Sequence, residues 1–374
     1  MGVIGTVAAF VAVLVVLVLV HELGHFLVAK RAGITVQEFG IGFPPRIGSV
    51  MWRGTRYSIN AIPLGGFVKM LGEDGDVELT RLRASGLTAA QIDVAMAGAF
   101  NRKPIVVRIG VLLAGVAMNF LLASALFGVA LSLPSLVGHG PLEVVEIQEG
   151  SPADGNLQVG DLIVAADGRR FERSHELTEY VRLHGGERVT LSVVRARETL
   201  DVAVVPRVLT EEQRAQGIGP IGFAYQPQRV IEEQSTVSGP IQAAWEGVSA
   251  AGGLAWQIPG GLLDAVGGLL GLNPEAPDAR GPIGIAQETG RVLEAPLVSQ
   301  ILFVGILSVN LAVLNVLPFP PLDGGRIVVV VVEAMRRRRL PAEREALIYL
   351  TGFVVLVALV ILISIQDIER LLGG

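Results

Sequence analysis

Four long apolar runs divide the chain, and its charged residues gather between them. A membrane-crossing helix needs roughly 20 mainly apolar residues. Four runs reach that length, at residues 3–29, 105–133, 297–317 and 347–365. The pattern therefore predicts four transmembrane helices, with one long polar insert between the second and the third.

A secretory signal peptide is the alternative interpretation of the first run. Signal peptides carry basic residues before a shorter apolar stretch and a small-residue cleavage site after it. No basic residue precedes this run, no such site follows it, and the run is too long. We therefore expect a transmembrane helix here.

Basic residues near the ends of the runs predict the orientation. Short loops rich in Lys and Arg stay in the cytoplasm. Such residues crowd the segments 30–104 and 324–346, whereas residues 134–154 contain none. We therefore expect those two loops in the cytoplasm, and the insert at 134–296 with both termini on the other side.

The insert combines two patterns. Residues 174–183 have a helical pattern, and residues 241–272 indicate either a pair of interfacial amphipathic helices or a fifth, weak span. In its first half, short apolar runs alternate with turn residues, which predicts a small β-rich domain. These runs lie at 142–147, 161–166, 189–194 and 200–205.

Composition narrows the possible chemistry. A mean hydropathy of +0.56 is too high for an ordinary soluble protein. The net charge of -5 is mild and gives no reason to expect a nucleic-acid partner. The chain has no cysteine, which excludes disulfides, thiolate metal sites and a cysteine nucleophile. A metal would need His, Asp or Glu ligands, and there are only five histidines.

One short motif carries the strongest chemical signal, namely His21-Glu22-Leu23-Gly24-His25 in the first run. On a helix, residues i and i+4 share a face about 5–6 Å apart. Two imidazoles so placed can bind one zinc, and the glutamate between them can act as general base. The motif predicts a zinc site with Glu22 as the catalytic base.

The position of the motif supports that prediction. An ionisable residue inside a span costs about 2.5–3.5 kcal/mol, and a bound zinc in a water-filled cavity would compensate for three of them. The alternative is a polar helix end, with the span stopping near Val20. The apolar residues 26–29 continue the run and argue against that alternative.

Asp323 is the candidate for a third ligand. A catalytic zinc usually has three protein ligands and leaves the fourth position to water. Asp323 follows the proline-rich end of the third run, on the side of the membrane where the first run also ends. Asp323 can equally cap the helix that follows its Asp-Gly-Gly turn, and spacing alone leaves both roles open.

The segment 56–69 in the first loop is apolar and β-prone and contains Gly65 and Gly66. A peptide bond in a transmembrane helix is protected by the helix's own hydrogen bonds. A protease must therefore unwind its substrate, and an extended substrate can pair with an edge strand. The segment fits a re-entrant hairpin that supplies this strand, although a surface hairpin fits the sequence as well.

Together these residues resemble the site-2 protease family of the bacterial regulator-of-sigma-factor type, which are M50-like intramembrane zinc metalloproteases. The combination of HExxH in the first span with NxxP and LDGG near the last spans is highly specific. The insert also shows a PDZ-like pattern at 138–208. The matching motifs are His21–His25, Gly40–Phe43, Ile62–Met70, Asn119, Gly281–Ile285, Asn315–Pro318 and Leu322–Gly325.

The resemblance implies a role for each matched residue. It makes Asp323 the third ligand of Zn²⁺ beside His21 and His25, with Glu22 as the catalytic base. It also implies that the 62–70 segment is a re-entrant β-loop. It implies that Asn315 contacts the substrate or the transition state, and it implies substrate contacts for Gly65, Gly66 and Phe67. The expected substrates are single-span membrane proteins, such as an anti-sigma factor or a signal-peptide remnant.

The predicted fold class is a polytopic α-helical membrane protein of about four transmembrane helices, with an inserted β-rich PDZ-like domain and a re-entrant β-loop. We expect a multi-pass protein of the inner (cytoplasmic) membrane. Its PDZ-like domain and termini would be extracytoplasmic, and its active site would lie near the cytoplasmic side. The expected regions are 1–133 with the first two spans, the PDZ-like domain at 138–208, a linker at 209–296 and the last two spans at 297–374.

Two features leave roles open. Relatives often carry Gly-Pro before the second-span Asn, where this chain has Gly115-Val116, so Asn119 serves either the site or helix packing. The PDZ-like domain either binds peptide or protein ends by strand addition or excludes bulky substrates. His139, His175 and His184 lie in the insert and are expected to be surface or packing residues.

Two other functions compete with proteolysis. A non-catalytic PDZ membrane scaffold would leave Glu22 as a buried carboxylate without purpose, and a structural zinc would need four protein ligands. A transporter would favour internal repeats, and we find none in the sequence. The lipid bilayer and membrane-protein substrates are therefore the expected partners, and nucleic acid is not.

Overall fold

The computed structural model describes residues 2–73, 77–171, 174–196, 198–209, 219–233, 237, 239–269 and 281–373. Predictions for the other residues, including 210–218 and 270–280 of the expected linker, lie outside this description. The chain forms two compact units. One unit comprises residues 1–131, 239–259 and 280–374, and the other comprises residues 132–238 and 260–279.

Helices dominate the first unit and strands the second. In the described ranges the helices are α1 (Val3–Arg31), α2 (Val77–Ala84), α3 (Ala89–Ala95), α4 (Ile105–Ser132), α5 (Ser174–Leu183), α6 (Pro240–Leu269), α7 (Pro282–Val292), α8 (Leu297–Val316), α9 (Asp323–Arg336) and α10 (Ala342–Gly373). The strands are β1 (Val36–Trp52), β2 (Thr55–Met70), β3 (Ser135–Ile147), β4 (Leu162–Ala166), β5 (Arg169–Arg170), β6 (Val189–Arg195), β7 (Glu198–Val204) and β8 (Phe223–Glu233).

Four helices of the described ranges are long and apolar enough to cross a membrane, namely α1, α4, α8 and residues 343–369 of α10. Each begins and ends within a few residues of a predicted run, so the predicted fold class is confirmed. Only 6% of the most apolar window of α1 is buried within the protein. Its apolar side chains therefore face outward, as they do where lipid replaces water.

Small residues bring the spanning helices together. A Cβ atom added to Gly24 of α1 would overlap the carbonyl group of Ala114 on α4. A Cβ atom at Gly305 of α8 would lie 2.5 Å from the ring of Phe127 on α4. Close approach through small residues is the usual way in which helices associate in membranes, and it places α4 between α1 and α8.

The first loop folds as a long, bent hairpin. Because β1 and β2 both bend, residues 55–60 pair with 46–52 on one side and with 38–41 on the other. Residues 66–70 then pair with 36–41. No further strand of the described chain pairs with the outer edge of 66–70.

A buried apolar cluster fixes the hairpin to the helices. Val68 and Met70 of β2 pack with residues of α1, α4 and α9. The buried members of this cluster are Ala29, Ile34, Val36, Val68, Met70, Phe100, Val111, Leu112 and Val330. The unpaired edge of β2 is therefore held close to the helices that carry the histidine motif and Asp323.

The second unit contains one sheet of order β7-β6-β4-β3-β8, with β5 paired to β4. The predicted β-rich insert and its helix at 174–183 are both present. Strand β8 also belongs to this sheet, although it lies beyond the expected PDZ-like segment at 138–208. A proline such as Pro227 is unfavourable inside a strand. Strand β8 lies at the edge of the sheet, and its pairing with β3 is irregular near Pro227. The missing N–H group is therefore tolerated there.

Residues 240–269 form the single helix α6, where the sequence indicated a pair of helices or a weak span. Pro259 lies inside this helix. The turns before the proline are supported by packing, because Ala251, Leu254 and Ile258 lie in a core cluster with Phe127 and Val309 of α4 and α8. This packing supports the helix next to a position where a proline removes one backbone hydrogen bond.

Candidate metal centre

The histidine motif lies on one buried face of α1. His21 and His25 are each only 6% exposed. Their side chains occupy successive turns of the helix, as the i and i+4 spacing predicted. The two Nε2 atoms lie 3.0 Å apart, so both rings direct the same nitrogen to one point.

Asp323 reaches that point from the other end of the sequence. It is the first residue of α9, after the N-cap Leu322. A Cβ atom at Gly325 would lie 2.7 Å from Phe319, and one at Gly324 would overlap the carbonyl groups of Val316 and Leu317. The two glycines therefore let α9 start tightly against the end of α8, which directs the Asp323 carboxylate toward α1.

Three candidate ligand atoms form a nearly equilateral triangle. Asp323 Oδ2 lies 2.9 Å from His21 Nε2 and 3.2 Å from His25 Nε2. Protein atoms that lie about 2.0–2.1 Å from a tetrahedral zinc are about 3.3 Å from each other. The two nitrogens and one oxygen thus fit the ligand set of a catalytic zinc and leave one face of the triangle open.

The surroundings of His25 also fit a metal ligand. Its Nδ1 atom lies 2.7 Å from the backbone oxygen of Val111 on α4. A carbonyl oxygen only accepts, so Nδ1 carries the proton and Nε2 is left free for a metal. Gly115, one turn further along α4, has no side chain to fill the space beside the rings, and a Cβ atom there would lie 2.5 Å from His25 Nε2.

A cavity of about 970 Å³ opens beside the three groups. Glu22 also lines this cavity, next to the predicted ligands. Both polar side chains and apolar residues of the spanning helices form the wall. The lining includes Val18, His21, Glu22, His25, Phe43, Gly66, Phe67, Glu73, Leu311, Asn315, Asp323, Arg326, Tyr349 and Leu356.

The predicted substrate-contacting residues divide into two groups. Gly66, Phe67 and Asn315 line the cavity. Gly65 is adjacent to the lining, at a φ of 121° that favours glycine, and it packs near Val18 and Phe43. The Asn315 side chain donates a hydrogen bond to Leu311 of its own helix at 2.9 Å while it lies on the cavity wall.

The structure adds residues that the sequence analysis did not single out for this site. Glu73 and Arg326 both line the cavity and form an ion pair with each other. Arg326 lies one turn after Asp323, and that spacing was the available signal for it. Nothing in the sequence links Glu73 to Arg326, since one follows β2 and the other lies on α9.

Asn119 of α4 is fully buried, and its Nδ2 atom lies 3.4 Å from His21 Nδ1. Asn119 therefore contacts the His21 ring at the nitrogen that does not face Asp323, and it does not line the cavity. The three histidines of the insert, at 139, 175 and 184, belong to the other compact unit.

The chain is similar to known proteins over most of its length. The model of peptidase family M50 matches residues 9–359. The zinc metalloprotease RasP of Geobacillus kaustophilus is 29% identical over 98% of this chain and 98% of its own length. The regulator of sigma-W protease RasP of Bacillus subtilis is 27% identical over 98% of this chain and 99% of its own. A chain from Clostridium perfringens reaches 33% identity over 94% of this chain and 95% of its own.

Among solved structures, the PDZ domain of an SdrC-like protein from Listeria innocua is similar to part of the chain. It is 24% identical and has a TM-score of 0.20. The similarity covers 25% of this chain and 97% of that domain.

Proposed function

The chain belongs to peptidase family M50, and from that premise we propose that it cleaves single-span membrane proteins inside their transmembrane segments. Membership makes it a zinc metalloprotease, and its four apolar helices make it a membrane protein. One observation supports the proposal above all. The convergent atoms of His21, His25 and Asp323 adjoin a cavity lined by residues of all four apolar helices together with the hairpin edge and the start of α9.

We propose that His21, His25 and Asp323 hold the zinc. A zinc ion held by these residues would lower the pKa of water and polarise the scissile carbonyl group. Glu22 is the one carboxylate residue in the His21–His25 motif, and it lines the cavity. It is suited to take the proton from the attacking water and to pass it to the leaving amine.

The unpaired edge of residues 66–70 is proposed to receive the substrate. An unwound transmembrane segment has free backbone N–H and C=O groups that need partners away from water. Gly66 and Phe67 lie both on this edge and on the cavity wall, so strand addition would bring the substrate to the site. Gly65 shapes the turn before the edge, and Asn315 faces the bound segment from α8.

The placement in the cell is also a proposal. We propose an inner-membrane protein with the loops at 30–104 and 324–346 in the cytoplasm, and with the β-rich insert and both termini outside. The hairpin would then re-enter the membrane from the cytoplasmic side. We keep the regions 1–133, 138–208, 209–296 and 297–374 as the proposed organisation, with a peptide-binding or size-excluding role for the insert.

Purified wild-type chain and the Glu22→Gln variant test this function. Glu22→Gln keeps the side-chain shape but removes the base, so we expect cleavage of a single-span substrate to fall at least about 100-fold. We expect zinc per chain to stay near one, because Glu22 is not a proposed ligand. Gel cleavage assays and metal analysis measure the two quantities.

The matched control is Glu198→Gln, which changes an exposed glutamate of β7. It should cleave as the wild type does. Equal cleavage by Glu22→Gln and the wild type would overturn the role of Glu22. A wild type that holds no zinc would overturn the assignment of His21, His25 and Asp323.

A further inference from the structure

The second ring nitrogen of His21 points away from the metal site, toward α4. There His21 Nδ1 lies 3.4 Å from Nδ2 of Asn119, whose side chain is completely buried. The other polar atom of the same carboxamide, Asn119 Oδ1, is buried and has no hydrogen-bond partner in the described part of the chain. Orphaned buried oxygens are uncommon and call for an explanation.

A metal-binding histidine has strict proton requirements. The nitrogen that faces the metal carries no proton, so the other nitrogen carries it and donates it to an acceptor. His25 meets this requirement, because its Nδ1 atom lies 2.7 Å from the Val111 carbonyl oxygen. Among the described residues, the atom that faces His21 Nδ1 is Asn119 Nδ2, and no carbonyl oxygen accepts from this nitrogen. With zinc at Nε2, its Nδ1–H group would face the N–H₂ group of Asn119, and two donors would oppose each other.

A half-turn of the carboxamide removes this conflict. The two terminal atoms of an Asn side chain are nearly equal in size, and their hydrogen-bond partners decide which is which. The half-turn exchanges Oδ1 with Nδ2 in nearly the same space. The oxygen then lies where the proton of His21 Nδ1 points.

We propose that Asn119 is a positioning residue of the zinc site. Its Oδ1 atom accepts the hydrogen bond from His21 Nδ1 and thereby holds the ring with Nε2 toward the metal. The inference rests on the proposed ligand role of His21. It assigns a chemical reason to a polar residue inside an apolar helix.

One face of α4 serves both imidazoles. Val111, Gly115 and Asn119 follow each other at intervals of four residues and therefore share that face. Val111 supplies a backbone acceptor to His25, Gly115 leaves room for the two rings, and Asn119 supplies a side-chain acceptor to His21. His21 thus depends on a side chain for its hydrogen-bond acceptor, whereas His25 depends on the main chain.

Helix packing alone does not account for the carboxamide. The contact between α4 and α8 at this position is the hydrogen bond from Ser308 Oγ to the backbone oxygen of Asn119, at 2.8 Å. Any residue at 119 would supply that oxygen. A leucine of similar size would satisfy packing in an apolar surrounding without leaving a polar atom buried.

Zinc affinity of the full-length purified chain tests the proposal, with a competing chelator as the reference. We expect Asn119→Leu to bind zinc about 10–100-fold more weakly, as is usual when a histidine loses its hydrogen-bond acceptor. Asn119→Asp keeps an oxygen toward Nδ1 and should bind much more tightly than Asn119→Leu. Asn310→Leu removes a polar side chain of α8 that bonds its own helix and does not line the cavity, and it should bind as the wild type does.

Thermal unfolding of the zinc-free proteins shows which variants fold, and Asn119→Ala replaces Asn119→Leu with the same expectation if the leucine variant does not. Wild-type affinity in the leucine or alanine variant would overturn the proposal. So would an aspartate variant as weak as the leucine variant, because that result indicates packing. Failure of the proposed function is a separate result, in which the wild type itself holds no zinc.

Discussion

Three side chains from two distant parts of the sequence meet because neighbouring positions lack side chains. The Asp323 carboxylate lies within 3.2 Å of both imidazoles. Gly24 lets α4 approach α1, Gly115 keeps α4 clear of the rings, and Gly324 lets α9 start beside the end of α8. At the residue scale the site depends as much on these glycines as on its polar groups.

Gly115→Ala is the sharpest test at this scale. A Cβ atom there would lie 2.5 Å from His25 Nε2 and 2.7 Å from His21 Nε2, so the rings must shift. We expect zinc affinity to fall at least about tenfold, since ligands must be held close to their ideal geometry. The helix itself should not suffer, because alanine is about 1 kcal/mol better than glycine in a helix interior.

Gly110→Ala makes the same change on the same helix, at a position where a Cβ atom meets nothing within 4 Å. It should leave zinc affinity unchanged in the same chelator competition. Zinc binding by Gly115→Ala at the level of Gly110→Ala would show that the rings do not need this space.

The sequence predicts some of these residues and not others. His21, Glu22 and His25 follow from spacing, because one helical turn joins them. Asp323 could not be separated from a helix cap by spacing, and only the resemblance to a family implied its role. The need for a glycine at 115 arises between two helices that pack together, so no local pattern reveals it.

At the scale of elements, the hairpin and α9 are joined beside the cavity. Glu73 follows β2, and its Oε2 atom accepts a hydrogen bond from the backbone N–H of Met70 at 3.0 Å. Its Oε1 atom pairs with Arg326 of α9, one turn after Asp323. The Glu73 side chain is only 11% exposed. One carboxylate therefore links the end of the proposed substrate strand to the helix that carries the third predicted ligand.

Glu73→Gln should uncouple these two elements. It keeps an acceptor for Met70 but removes the charge that holds Arg326, a loss of about 1.5–3 kcal/mol for a hydrogen bond between charged groups. We expect kcat/KM for a single-span substrate to fall about tenfold or more, since about 1.4 kcal/mol corresponds to a factor of ten. Zinc content should remain near that of the wild type.

Asp93→Asn is the control. It breaks the exposed ion pair between Asp93 of α3 and Arg102, which lies between the first two spans as Glu73 does. Exposed pairs contribute about 0–1 kcal/mol, so its cleavage rate should stay near that of the wild type. If Glu73→Gln cleaves as fast as Asp93→Asn, Glu73 does not couple the hairpin to α9 in the way proposed.

Elements were predicted well where one pattern dominates. The four spans and the helix at 174–183 follow from apolar length and periodicity. Local pattern is less informative at two prolines, for opposite reasons. Strand β8 contains Pro227, which a sheet edge tolerates, and α6 continues through Pro259 because its preceding turns pack against α4 and α8.

At the scale of the whole molecule, the arrangement joins two requirements that oppose each other. Hydrolysis of a peptide bond needs water and charged groups, whereas a transmembrane substrate needs an apolar route. The first unit meets both, since its spanning helices present apolar side chains outward while Glu22 and the predicted ligands face a cavity of about 970 Å³. We therefore expect the cut to fall inside the substrate's apolar segment.

Mass spectrometry of the cleavage products determines where in the substrate the cut falls. Purified chain and a single-span substrate are placed together in lipid vesicles, and the new termini are identified with Glu22→Gln as the inactive control. We expect a cut within the roughly 20 apolar residues of the substrate's span and no such cut by the control. Cuts confined to the polar flanks outside the span would contradict it.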